Sequence, residues 1–150
     1  MKKSRKKYER PLVIWDKERI EKEKELMKNF GLRKKKEIWK SIALLRKFRR
    51  MGRDLAAKKN KDKEKELIEK LAKLNLLPEN STLDDVLSLT LENVLERRLE
   101  TVVARKGLAN TIKQARQFII HGKVTIGGRK VFYPSYLVKK DEEEKIQVVK

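Results

Sequence analysis

Cysteine is absent from this sequence, which removes disulfides, zinc ribbons and thiol catalysis together and fits a reducing interior. Histidine occurs once, at His121, so no histidine pair can hold a metal, and no serine and acid motif accompanies it to build a triad. Neither GxGxxG nor a P-loop signature is present, and Gly127-Gly128 reads as a turn. Asp84 and Asp85 are paired carboxylates only in name, since neighbours on a helix point apart and capping explains them better. No enzyme is expected, and no cofactor or metal is implied. Long apolar runs are missing as well. Leu12-Val13-Ile14-Trp15 is among the longest, against the ~20 residues a membrane helix needs. Met1-Lys2-Lys3 leads into more charge, so no secretory leader is expected.

Acidic residues are the scarce sign: 22 of them face 41 lysines and arginines, for a net charge of +19 over 150 residues. With 42% charged and 39% hydrophobic residues, the chain cannot wrap all of itself around one core. Self-repulsion on this scale points to a polyanionic partner. The cations are unevenly spread. Residues 33–60 carry 12 basic and 2 acidic groups, and residues 89–140 carry 11 and 3. Between them, residues 61–88 carry 5 and 7. Two basic zones flanking a near-neutral spacer predict two contact surfaces on one polyanion.

Residues 1–15 are expected to form a basic extended tail ending in a short apolar anchor, Pro11 to Trp15. A helical, basic region should follow over 16–88. Its first helix is capped by Asp16, runs to about Phe30, is stopped by Gly31 and places Glu18 and Lys22 as an i,i+4 pair. The second spans about Lys35 to Lys58 with Ile38, Ile42, Leu45 and Leu55 as its buried edge. Arg46, Arg50 and Arg53 recur at i, i+4, i+7 as a cationic ridge, with Lys35, Lys47 and Arg49 beside it. Trp39 and Phe48 are read as core. A third helix covers Asp62 to Leu74, Pro78 prevents its continuation, and Ser81 is placed as the cap of a short turn.

Residues 89–150 carry the clearest pattern. Leu91, Val94, Leu95, Leu99, Val102 and Val103 form one regular apolar stripe, read as a single helix capped by Thr90 and ended by Gly107 in a Schellman motif with Leu108. A second helix opens on Thr111-x-x-Gln114, a capping box, and closes at Gly122. Ile112, Ala115, Phe118 and Ile119 share its apolar side, while Lys113, Arg116 and Gln117 lie opposite, with His121 near the end. That face shows cations and amides without acids, as a phosphate backbone would select. Lys123 to Ile126, Gly127-Gly128 and Arg129 to Phe132 then predict a two-residue hairpin. Asp141 to Glu144 reads as a solvated turn and Ile146 to Val149 as a strand joining the hairpin. The fold class is α+β: a mostly helical N-terminal region, then a helix-turn-helix packed on a small antiparallel sheet.

Leu91-Glu-Asn-Val-Leu-Glu-Arg-Arg-Leu99, Gly107-Leu-Ala with Thr111, Gln114-Ala-Arg-Gln117, His121-Gly122, Val124, Gly127-Gly128 and Pro134-Ser-Tyr-Leu-Val138 resemble the RNA-binding domain named after small-subunit ribosomal protein S-four. Tyr8-Glu-Arg-Pro11, Gly31-Leu-Arg-Lys-Lys-Lys-Glu-Ile-Trp39, Arg46-Lys-Phe-Arg-Arg50 and Leu83-Asp-Asp-Val-Leu-Ser-Leu-Thr90 are similar to the archaeal and eukaryotic form of that ribosomal family. Two departures stand out. Asn110 occupies a position where an arginine often precedes the threonine, so one phosphate contact fewer is expected; and the sequence stops soon after its last strand, so no tail interaction is expected.

The resemblance implies a structural constituent of the small ribosomal subunit in the cytoplasm. It implies a primary binder of the five-prime domain of small-subunit rRNA, at a multi-helix junction, that aids assembly. It further implies neighbouring small-subunit proteins as partners, a place beside the path by which mRNA enters, and influence on decoding accuracy. No membrane and no small-molecule substrate are implied. Carried over by position, Arg98, Arg105, Lys106, Thr111, Lys113, Arg116, Gln117 and His121 would contact RNA, with Lys123 beside them. On this reading Arg116→Glu weakens RNA binding much more than it lowers thermal stability. The runner-up is a free-standing RNA-binding factor of the ribosome-recycling or stress type that uses the same unit.

Overall fold

Asp16 starts the first helix in the computed structural model of this chain, which describes residues 6–149; its carboxylate accepts the Arg19 backbone N–H at 3.2 Å. The part of the expected tail at residues 1–5 lies outside the described residues. Helix α1 (Lys17–Asn29) ends at Gly31, where the Leu32 N–H bonds the Met27 carbonyl at 3.0 Å. Its expected Glu18–Lys22 pair gives way to Arg19–Glu23 at 2.7 Å, because the Trp39 indole and Lys35 converge on the same Glu23 carboxylate. The apolar anchor at Leu12 to Trp15 is overturned: Leu12 is fully exposed and Trp15 is 86% exposed. Arg19 holds this segment by its backbone instead, donating to the Val13 and Ile14 carbonyls at 2.9 and 3.0 Å.

Helix α2 (Lys35–Lys58) fills the expected span and organises the N-terminal half. Ile38, Leu45 and Phe48 are buried on one edge, while Ile42, Leu55 and Trp39 are half-buried. Helix α3 (Lys61–Lys73) and helix α4 (Leu83–Ser88) close over it, with Leu67, Leu71 and Val86 meeting Leu45 and Phe48. The cap of α4 is Thr82, whose backbone N–H is held by Asp85 at 2.7 Å, rather than Ser81. Ser81 donates its hydroxyl to the Pro78 carbonyl and so belongs to the preceding turn.

The stripe from Leu91 to Val103 is not one helix but two, α5 (Leu91–Glu96) and α6 (Leu99–Arg105). At the break Arg98 is extended, with φ −70 and ψ 142. Its neighbours exchange helical bonds for tertiary ones: Leu99 N–H donates to the Tyr136 carbonyl at 2.8 Å, and Val138 N–H to the Arg97 carbonyl at 3.0 Å. The break also divides the packing. Val94 and Leu95 join the cores built on α2, whereas Leu99, Val102 and Val103 face helix α7 (Ile112–Ile120) and the sheet. The apolar stripe runs unbroken through Arg97 and Arg98, so periodicity gives no sign of the change of partner.

The remaining ends follow their local chemistry. Thr90 caps α5, and Gly107 carries φ +71 with Leu108 N–H on the Val103 carbonyl at 3.2 Å, the two marks of a Schellman ending. Thr111 accepts the Gln114 N–H at 3.2 Å, but the Gln114 side chain accepts the Asn110 N–H at 2.8 Å, one residue beyond the cap, so the box stays open. Strands β1 (Val124–Ile126) and β2 (Arg129–Lys130) form the hairpin, and β3 (Ile146–Val148) adds antiparallel to β1, giving the order β2-β1-β3. After α7, Gly122 takes φ +69 against the Phe132 ring; a Cβ there would lie 2.6 Å from its Cε1. The acidic run is no solvated turn: it forms helix α8 (Lys140–Glu143), whose Glu143 neutralises buried Arg97 at 2.8 Å. No helix among the described residues is long and apolar enough to cross a membrane.

Candidate nucleic-acid interface

Glu37 in the first turn of α2 reaches across to α7, where its carboxylate receives both terminal nitrogens of Arg116, at 3.0 and 2.9 Å. Arg116 also donates to Glu100 at 3.1 Å, and Arg98 bridges the same two carboxylates at 2.5 and 2.8 Å. Glu100 is fully buried, Arg98 is 4% exposed, and the Arg116 side chain is 20% exposed. Two cations and two anions thus cancel inside the junction between the two basic zones. Arg98 and Arg116, placed on the RNA face by sequence and resemblance, are therefore corrected. They turn inward because two glutamates distant in sequence meet them there.

The two carboxylates sit differently. Burial pushes Glu37 up, but the hydrogen bonds and charge of Arg116 and Arg98 outweigh it and hold the carboxyl below its ordinary value. Burial is larger at Glu100; Arg98 and Arg116 offset only part of it, Glu37 adds repulsion, and the carboxyl ends raised. Linkage gives the signs. Glu37 contributes stability that is present above the ordinary value of 4.5 and lost as pH falls through its depressed value. Glu100 has the opposite sign, since its ionised form is the costly one, and favours the fold on the acid side. Glu23 and Glu143 behave like Glu37: burial raises them, and their cationic and hydrogen-bonding partners lower them further. Stability is therefore expected to decline as pH falls below 4.5, and Glu37→Gln to be less stable at neutral pH yet decline less steeply there. Chemical denaturation measured from pH 7 to pH 3 checks this. A parallel acid limb in the variant would remove Glu37 from the linkage.

The other expected contacts divide by placement. On α2, Arg46, Lys47, Arg50 and Arg53 are exposed. Arg46 pairs with Glu9 at 3.4 Å and Arg50 with Asp54 at 3.8 Å, surface pairs of exposed side chains that leave both cations open to a polyanion. Around α7, Thr111, Lys113, Gln117, His121 and Lys123 are exposed; Thr111 also caps the helix, and the Lys123 amine lies 5.7 Å from the Phe118 ring centre. Arg105 and Lys106 are exposed but lean on Glu143, the arginine by an ion pair at 3.2 Å and the lysine on its carbonyl. Arg49 is a second inward correction: it donates to the Leu89 carbonyl at 2.5 Å, and tethers the end of α4. Lys35 is paired with Glu23 at 3.2 Å but keeps its side chain 40% exposed.

The fold also assembles what separate helices could not show. A Cβ on Gly31 would lie 3.0 Å from Ile112 Cγ2, so the turn entering α2 abuts the start of α7. The exposed Arg33, Lys34 and Lys36 follow that turn in the chain, and the exposed Lys113 follows Ile112. The run Arg33-Lys34-Lys35-Lys36 was the available signal for these three. Phe132 and Tyr133 are exposed by 52% and 70% close to Lys130 in the chain, and no spacing in the sequence marks them as surface residues. They are exposed aromatics on a basic hairpin, a type of surface on which unpaired bases stack.

Comparison with known proteins bears on the family of the chain. The family model described as the S4 domain matches residues 97–144, beginning at the break between α5 and α6. Small ribosomal subunit protein uS4 of Hyperthermus butylicus is 53% identical over 146 residues, covering 95% of this chain and 83% of that protein. The uS4 proteins of Nanoarchaeum equitans and Ignicoccus hospitalis are each 50% identical, over 97% and 96% of this chain and 83% and 89% of their own lengths. With half or more of the aligned residues shared along almost its whole length, the chain belongs to the uS4 family of small ribosomal subunit proteins.

Proposed function

We propose that the chain is a structural constituent of the cytoplasmic small ribosomal subunit, bound to small-subunit rRNA and to neighbouring small-subunit proteins. Within that reading we place it on the five-prime domain, at a multi-helix junction beside the path by which mRNA enters, where it aids assembly and decoding accuracy. One observation carries the proposal: exposed cations line α2 and the start of α7, while Glu37 and Glu100 are turned into the junction behind them. A rigid face of this kind recognises folded RNA by phosphate position and shape, because A-form RNA hides its base edges in a deep major groove. The names of its relatives support the ribosomal setting. The test is crosslinking of the full chain within purified small subunits after a high-salt wash, with the RNA positions mapped. Crosslinks concentrated in the five-prime domain are expected. Loss of the protein in the wash would favour a free-standing RNA-binding factor, and crosslinks confined to another rRNA domain would overturn the placement.

A further inference from the structure

Between the N-terminal segment and the first turn of α2 the fold leaves an open cavity of about 570 Å³, a volume suited to one small ligand and too small for a helix or strand. Its walls have two chemistries. Pro11, Ile14 and Trp39 are apolar, and Arg10, Lys34 and Lys36 are exposed cations. Two further cations at the wall, Arg19 and Lys35, already share the Glu23 carboxylate, and Arg19 also has Asp16 at 4.0 Å. Among the described residues, no carboxylate lies within ion-pair distance of Arg10, Lys34 or Lys36. The Trp39 indole is fixed in place by its N–H bond to Glu23 at 3.0 Å and by Tyr8, whose ring centre lies 6.0 Å away.

A bare anion would not need the apolar walls, and an apolar ligand would not need three open cations. A nucleotide needs both. We propose that this cavity receives a single nucleotide, its base against Trp39, Ile14 and Pro11 and its phosphate among Arg10, Lys34 and Lys36. We assign that nucleotide to a bound RNA, extruded from its stack, which rests on the RNA-binding reading above. Three of the cavity's lining cations, Lys34, Lys35 and Lys36, belong to the start of α2, the helix that also carries the exposed Arg46, Arg50 and Arg53. An aromatic wall accepts any base, so little base specificity is expected.

The test uses the full chain carrying Trp15→Phe. That exposed residue lies outside the cavity lining, and its replacement leaves Trp39 as the only tryptophan of the original two. A five-prime-domain rRNA fragment, hexaadenylate and adenosine 5′-monophosphate are each titrated in, with Trp39 emission followed alongside RNA anisotropy. Saturable quenching by both RNAs is expected, with the mononucleotide far weaker. In the same background Lys34→Glu with Lys36→Glu, both on exposed side chains, should weaken the hexaadenylate quench by about tenfold or more. Binding by anisotropy with unmoved Trp39 emission, or a quench indifferent to the two lysines, overturns the cavity assignment and leaves the RNA-binding reading standing. Mononucleotide binding as tight as hexaadenylate makes this a site for free nucleotides and overturns the RNA assignment. Failure of both RNAs to bind overturns the cavity and the RNA-binding reading together.

Discussion

Arg116→Glu is expected to unfold this protein more readily, by about 3–5 kcal/mol, and any loss of RNA binding should follow from that loss of structure. The physical ground is the junction between α2, α6 and α7. Arg116 supplies two of the bonds to Glu37 and one to fully buried Glu100. Reversing its sign would set three carboxylates together around one remaining guanidinium, Arg98. A buried pair adds little over an apolar substitute, but breaking one from a single side leaves charge uncompensated and costs about 3–5 kcal/mol. For a chain of this size that is a fall in Tm on the order of 10 °C. Arg116→Met should be milder, since it removes a cation without adding an anion. Thermal melts of the two variants decide the matter. A Tm for Arg116→Glu within about 2 °C of the parent, with RNA affinity abolished, would restore the expectation drawn from sequence.

The opposite profile is expected on α2. Replacing Arg46, Arg50 and Arg53 together by glutamine should leave stability nearly unchanged and weaken binding to a five-prime-domain rRNA fragment by roughly 100-fold near 0.1 M salt. These side chains are exposed, Arg46 and Arg50 by 68% and 80%, and their pairs with Glu9 and Asp54 are surface pairs. Such pairs contribute about 0–1 kcal/mol at most. Every phosphate that the variant no longer neutralises should also lower the slope of log affinity against log salt by about 0.7–0.9. Affinity of the parent should therefore fall steeply with salt, and that of the triple variant less steeply. Equal slopes would show that the ridge does not meet phosphate, whatever happened to the affinity.

Much of this was legible because it depends on near neighbours. Asp16, Thr90 and Thr111 each accept the backbone N–H three residues on, a geometry that hydroxyl or carboxylate at the cap already contains. Gly107 ends α6 and the Gly127-Gly128 turn closes the hairpin for equally local reasons. The span of α2 and its exposed ridge came from spacing along a single helix. The break at Arg97 and Arg98 did not, since nothing in the stripe from Leu91 to Val103 reports that Tyr136 and Val138 will take its backbone bonds. Leu12 to Trp15 misled for the related reason that four apolar residues imply burial only if a surface comes to cover them.

By itself, then, the sequence determined the α+β class, the caps at Asp16, Thr90 and Thr111, the hairpin and an excess of positive charge that calls for a polyanion. Only the tertiary structure decided which arginines are free to meet that polyanion. Arg98 and Arg116 look no different along the chain from Arg50 or Arg53, yet Glu37 reaches them from 61 and 79 residues away. The sign of a charge is a property of the residue, but its neutralisation depends on what lies within about 3 Å, and the fold sets that distance.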